Sequence, residues 1–231
     1  MIDTTNVLWY SSISVQFFFC AYLIWTGLGK AYPTFTSCLG CAVLRSAAAI
    51  YFMQGAVGAK LPLSYTYFWL WSEPFWLVLL VAVALEVHSK IWKERASVLR
   101  QTRPILIAAL VIALVFAALP LRFETAHGAF SGLITMMHVE IRATQYISSV
   151  LSIFLLLSAA LFVVLAGPGL KSNLFRHEGM LAAYLGIYAL AAFLIDIGAA
   201  RAVFINGYVS SALTLCFIVW ISAFRPQEIP N

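Results

Sequence analysis

Seven apolar runs, each long enough to cross a bilayer, constrain this chain more than any other feature. They fall at about 7–29, 35–57, 65–88, 104–122, 143–166, 179–200 and 204–224. The helical period of the fifth continues upstream, so that span is read as 132–166. A hydrocarbon core ~30 Å thick takes ~20 residues of helix, and a helix satisfies its own backbone where no water is at hand. Seven such spans and short connections use nearly all of the 231 residues. The expected fold is therefore all-α: one polytopic helical bundle over residues 1–231, with no separate soluble domain. Charged residues make up only 10% of the chain, against roughly 25% in soluble domains.

Gly29, Pro33, Pro62, Pro104, Pro120, Gly167-Pro168-Gly169, Asn206-Gly207 and Pro226 punctuate the runs and are read as connections. The first 29 residues hold no Lys or Arg and no small-residue cleavage pattern follows. The first run is thus expected to stay as a helix.

Lys and Arg orient the bundle. If seven spans alternate, Lys30, Lys90, Lys93, Arg95, Arg100, Arg103, Lys171, Arg176 and Arg225 share one side, and Lys60, Arg122 and Arg201 share the other. Basic residues gather in cytoplasmic connections, which predicts the N-terminus outside and the C-terminus inside. The same bias explains the net charge of +5, and nucleic acid is not expected as a partner. A retinal protein is excluded, since residues 202–224 contain no Lys for a Schiff base. A transporter plan of two three-helix repeats joined by one helix also gives seven spans. Spans one to three and five to seven show no persuasive repeat, however: the third has Glu73 and a Pro, while the seventh has no acid.

Ionisable groups inside a bilayer cost about 2.5–3.5 kcal/mol each on insertion scales, which makes each one a candidate site. Arg45 and Glu73 lie roughly 16 Å and 13 Å from opposite faces at 1.5 Å rise per residue. In a core ~30 Å thick they meet at one depth, so a pair is predicted. It serves either as a salt bridge between helices or as the polar floor of a ligand or proton site. His138, Arg142, Gln145, Ser149 and Ser152 recur on one helical face, as interfacial charges and helix–helix contacts or as the wall of an outward-open cavity. Glu140 lies off that face and is expected to meet Arg201 or headgroups. Asp196 is expected to pair with Arg201 or to line the same vestibule. Tyr65, Tyr67, Phe68, Trp69, Trp71, Phe75 and Trp76 surround Glu73 and Pro74 in sequence. They form either an interfacial belt or a cage for a cationic or ring-bearing ligand. Glu86 and Lys90 read as a surface ion pair. Gly179, Ala183 and Gly186 suit close helix packing.

Cys38-Leu-Gly-Cys41 has the spacing of a redox dithiol. The predicted topology puts it near the cytoplasmic side, and no second Cys pair exists to relay electrons. No metal-ligand spacing, phosphate-binding loop or catalytic triad is visible, so no cofactor, metal or catalytic residue is assigned.

Tyr65-Thr-Tyr-Phe-Trp-Leu-Trp-Ser-Glu73 with Leu85-Glu86, Leu44-Arg45, and Glu140-Ile-Arg142-Ala-Thr-Gln145 resemble an uncharacterised family of bacterial seven-span membrane proteins. The resemblance covers most of the chain and implies a fold and a bacterial inner-membrane location, but no mechanism. The functional expectation is a non-enzymatic module that binds a small or lipophilic ligand from the outer side. Its ligand site would draw on Arg45, Glu73, Trp69, Trp76, His138, Arg142, Gln145 and Asp196. The basic 89–103 connection would meet a cytoplasmic protein partner or anionic lipid. A small transporter or channel subunit is the alternative. An enzyme ranks third, since no activated nucleophile accompanies Glu73 and His138.

Overall fold

The computed structural model describes residues 4–53, 63–93, 95–119, 129–166, 173–197 and 202–223, and among them every regular element is helical. Seven long helices follow in order: α1 (Thr4–Trp25), α2 (Pro33–Met53), α3 (Leu63–Ile91), α4 (Ala96–Ala118), α5 (Ala129–Ala166), α6 (Asn173–Asp196) and α7 (Ala202–Ala223). One further helical turn, Leu28–Ala31, lies between α1 and α2. Within α2 to α6, five segments are long and apolar enough to cross a membrane: Pro33–Phe52, Leu63–Ile91, Ala96–Ala118, Thr135–Leu165 and Leu174–Asp196. This is consistent with a multi-pass membrane protein. In α1 and α7 the apolar stretches, Tyr10–Trp25 and Val209–Ala223, are shorter.

Helix ends follow local chemistry. Gly27 at φ 77° takes the left-handed conformation that stops α1 at Trp25, short of residue 29. Pro33 leads α2, where its missing N–H costs nothing. Glu86 on α3 then accepts the freed N–H groups of Thr34 (3.3 Å) and Phe35 (3.0 Å), placing a carboxylate at the positive end of α2. Lys90 completes the set, 3.5 Å from Glu86 and 4.7 Å above the Tyr32 ring. The expected Glu86–Lys90 ion pair is formed, and it also clamps α3 to the start of α2. Burial and the Glu86 carboxylate push the Tyr32 phenol up to about 12, so the ring stays neutral.

Two turn signals are overridden. Pro104 lies inside α4, which begins eight residues earlier than the apolar run suggested. Asn206-Gly207 lies inside α7. Gly and Pro are weak local signals where the whole segment is apolar, since an unformed helix would leave its backbone unsatisfied in lipid. Similarly α6 begins at Asn173 rather than 179, which brings Arg176, His177 and Glu178 into the helix. The breakers Pro62, Pro120, Gly167-Pro168-Gly169 and Pro226 lie outside the described residues, as do Lys60, Arg122, Lys171, Arg201 and Arg225.

Helices consecutive in sequence run antiparallel, as the contacts of Phe19 with Phe35, Phe35 with Glu86, His88 with Thr102, Arg95 with Leu165, Arg142 with Asp196 and His177 with Trp220 require. Thus α1, α3, α5 and α7 begin at one end of the bundle, called here the upper end. α5 and α6 form the most extensive pairing; α3 packs on both, α2 lies between α3 and α1, and α7 closes the ring between α6 and α1. α4 stands outside this ring against α5. Only Leu106, Ala113 and Ala117 of α4 are buried, while Ile105, Ile107, Val111, Ile112 and Phe116 point outward. A band of exposed large apolar side chains is costly in water and neutral in lipid.

The lower half is closed by an aromatic cluster. Trp220 of α7 stacks on Phe35 of α2 at 4.7 Å, approaches Phe19 of α1 at 5.8 Å and donates its indole N–H to His177 Nδ1 on α6 at 3.1 Å. A cavity of about 20 Å³ remains beside it, lined by apolar groups of Cys38, Ala42, Trp76, Tyr184 and Trp220 among others. It is too small for anything beyond a single water.

Candidate functional site

Glu73 is the meeting point of four helices. Its side chain is fully buried and one carboxylate oxygen receives Nη2 of Arg45 from α2. The other accepts the Tyr188 hydroxyl of α6 at 2.8 Å and the Thr144 hydroxyl of α5 at 3.2 Å. Arg45 also donates Nε to Ser72 Oγ at 3.0 Å and rests 5.7 Å above the Trp76 ring. The predicted pair is therefore formed, and both oxygens of the acid are occupied by protein donors. A buried charge pair persists where further hydrogen bonds satisfy it, and this one has them. The arrangement fixes α2, α3, α5 and α6 against one another and leaves Glu73 no open face for a ligand.

The aromatic cage is not assembled. Trp76 is buried beneath Arg45, and Trp69 is half-buried with its carbonyl accepting the Ser72 hydroxyl. Phe68 stacks instead on Phe52 of α2 at 5.0 Å. Tyr67, Trp71 and Phe75 form an outward stripe, with Trp71 82% exposed. Rings at consecutive positions splay around a helix of 3.6 residues per turn, so proximity in sequence does not place them around one centre.

The other expected site residues form a second group on the α5/α6 seam. Arg142 Nε lies 3.2 Å from each Asp196 oxygen, and His138 Nδ1 lies 3.8 Å from the same carboxylate. Arg142 is thus a partner of Asp196, while Arg201, the partner expected from the sequence, lies outside the described residues. One helical turn below, Gln145, Ser149 and Ser152 face Gly186, Ala189, Leu190 and Phe193 across a groove of about 340 Å³. Ser152 donates to the Ala182 carbonyl at 2.8 Å and closes the groove floor. Of the three small residues expected at close packing, Gly186 fits: a Cβ there would lie 3.3 Å from Ser152 Oγ. Gly179 has open space at that point, and Ala183 is exposed.

The predicted polar face of α5 is thus its α6-facing side. A different stripe, Glu140, Thr144, Ser148, Leu151, Leu155 and Ser158, faces the bundle interior and is buried throughout. Glu140 accordingly turns inward toward Glu73 and Arg45 rather than toward headgroups. Neither of its oxygens has a hydrogen-bond partner among the described residues.

A third polar group, not anticipated as a site, lies in the lower half. His88 and Trp92 of α3, Thr102 of α4 and Ser158 of α5 are joined by hydrogen bonds of 2.8–3.0 Å, and Glu178 of α6 is buried with neither oxygen hydrogen-bonded among the described residues. Glu178 precedes the apolar run that starts at residue 179, so hydropathy alone does not mark it as helical. His88 was absorbed into the end of an apolar run. The thiols of Cys38 and Cys41 are free, with Cys38 buried among apolar groups. No model of a known protein family, no curated protein and no solved structure matches this chain.

Proposed function

We propose that this chain is a seven-span membrane protein of a bacterial inner membrane, N-terminus out, that receives a lipophilic ligand in the upper groove between α5 and α6. One observation supports this reading above the others: the groove has polar walls yet opens sideways among apolar residues. Gln145, Ser149 and Ser152 line it, and its rim carries the outward-facing Ile153, Leu190 and Phe193. Gln145 Oε1 is buried with no hydrogen-bond partner among the described residues. A molecule entering from the lipid would bury its apolar part against Leu190 and Phe193 and give a donor to Gln145. The Arg142–Asp196–His138 group stands directly above, at the height of headgroups. The ligand is therefore an amphiphile with a hydrogen-bonding head, and it arrives within the membrane plane.

Its occupancy would be felt by α6, whose packing on Ser152 runs directly below the groove. From there the movement passes to the lower connections, where the basic 89–103 segment meets a cytoplasmic protein or anionic headgroups. In that segment Arg95 donates to the Leu165 carbonyl and Arg103 to Ser89, while Lys93 and Arg100 are exposed.

Thermal stability of the purified protein across a lipid and small-molecule library tests the site. A stabilising amphiphile is expected to act equally on wild type and Glu73→Gln, and to lose its effect in Gly186→Leu and Ser149→Leu, which fill the groove. A compound that fails only with Glu73→Gln would move the site to the Arg45–Glu73 group and sink the groove reading.

Transport is the second reading, favoured by the position of α4 outside a ring of two three-helix sets, α1–α3 and α5–α7. Leu151, Leu155, Leu181 and Leu185, all buried, fill the interior between the upper and lower polar groups. That block argues against a permanent pore and leaves alternating access as the route. Solute flux in proteoliposomes separates it from ligand reception.

A further inference from the structure

One buried face of α5 carries an acid that the Arg45–Glu73 group does not use. Glu140 and Thr144 are neighbours at i and i+4 on that face, with about 6 Å between their Cβ atoms. They are 7% and 5% exposed. The Thr144 hydroxyl donates to Glu73 Oε1 at 3.2 Å, which fixes this face against α3 at the level of Glu73. Because α3 and α5 both begin at the upper end, Glu140 stands one helical turn above the Arg45–Glu73 group. It lies inside the apolar segment Thr135–Leu165, roughly 8 Å below its start at 1.5 Å rise per residue.

Neither Glu140 oxygen has a hydrogen-bond partner among the described residues. The helices packed on α5 are α3, α4 and α6, and their titratable groups at this end are engaged elsewhere or uncharged. On α3, Glu73 takes Arg45 of α2, whose Nε goes to Ser72, and Tyr65 is a neutral phenol. On α6, the Tyr188 hydroxyl is given to Glu73, and Asp196 holds Arg142 and His138 from α5 itself. α4 has no titratable residue from Ile105 to Ala118. Two interior carboxyl groups therefore have one guanidinium between them, and Glu73 holds it. An ionised Glu140 would stand there with neither donor nor counter-charge, which costs far more than the neutral acid.

We propose that Glu140 is a proton-binding site, and that the proton it holds keeps the Arg45–Glu73 group closed. On uptake an O–H bond forms between one Glu140 oxygen and a proton delivered by water at the upper end, and the carboxylate becomes a neutral acid. On release that bond breaks and the proton returns to water, so atoms and charge balance. The released carboxylate is a second negative charge one turn above Arg45 and competes with Glu73 for the guanidinium. Glu73 is the acceptor that joins Thr144 of α5 and Tyr188 of α6 to α3, so this competition loosens the junction of those helices. The site lies on the interior face of α5, apart from the α5/α6 groove, and does not require a ligand there.

Infrared difference spectroscopy of the protein in lipid nanodiscs, stepped from neutral to alkaline pH, tests both parts. At neutral pH wild type is expected to show a protonated-carboxyl band that Glu140→Gln removes and Glu140→Asp displaces. Gln has the shape of the neutral acid and keeps the fold. The band should fade reversibly at alkaline pH. As it fades, the Glu73 carboxylate stretch, identified by Glu73→Asp, should move in wild type and stay fixed in Glu140→Gln. Reversible unfolding gives an independent reading. The native state holds a proton that an unfolded glutamate has already released at neutral pH, so wild-type stability falls as pH rises through neutral, and Glu140→Gln flattens that slope. Absence of a neutral-pH band assignable to Glu140, or a slope unchanged in Glu140→Gln, would overturn the proton-binding site. A Glu73 stretch that ignores the loss of the Glu140 band would overturn the coupling.

Discussion

Glu73→Gln is expected to cost about 3–5 kcal/mol of stability, because it leaves the Arg45 guanidinium inside the bundle without its counter-charge. The geometry makes the loss specific. Gln still offers an oxygen to Tyr188 and Thr144, so the penalty arises from the charge and not from the hydrogen bonds. Two companion variants check this. Tyr188→Phe removes one charge-assisted bond to the Glu73 carboxylate and should cost about 1.5–3 kcal/mol. Arg45→Met combined with Glu73→Gln buries no unpaired charge and should be more stable than Glu73→Gln alone. Reversible unfolding in mixed detergent measures all three. If the double variant is no better than the single, the pair is not acting as a charge-compensated lock between helices.

Trp220→Ala should be comparably severe, at about 3–5 kcal/mol. Its ring is 1% exposed and touches α1, α2 and α6 at once, so the cavity has no neighbour free to collapse into it. Trp220→Phe keeps most of the packing and loses the N–H given to His177, for about 1 kcal/mol. Because α7 closes the ring against α1, Trp220→Ala should also expose α1 to proteolysis before α3 or α5. Equal protection of all helices in that variant would contradict the role given to this cluster.

The legible parts of the chain are those set by hydrophobic length and depth. Each of the seven apolar runs overlaps one long helix, five of which hold segments long and apolar enough to cross a membrane, and residue counts from either end bring Arg45 and Glu73 to one level. The chain's own chemistry does not announce how far a helix turns about its axis. Glu140 and Arg142 differ by two positions, yet one faces Glu73 and the other Asp196. Their faces depend on which neighbours α5 packs against, and that is a tertiary property. The same limit split the eight expected site residues: Arg45, Trp69, Glu73 and Trp76 lie around one packed centre, while His138, Arg142, Gln145 and Asp196 lie along a separate seam. Tyr188 and Thr144 are not legible as Glu73 partners, because a Tyr or Thr in an apolar helix carries no signal until its partner is known. Glu178 was hidden by a helix boundary, since Leu174 and Phe175 extend α6 upstream of the run that hydropathy marked.

A photoreactive phospholipid, crosslinked to the protein in bilayers and mapped by mass spectrometry, tests the central claim most directly. The account predicts adducts concentrated on Gln145–Ile153 and Gly186–Phe193, and their loss in Gly186→Leu. The outward face of α4, from Ile105 to Phe116, reports ordinary annular lipid in the same experiment. Labelling of α4 equal to that of the α5/α6 groove, unchanged by Gly186→Leu, would contradict a ligand site there.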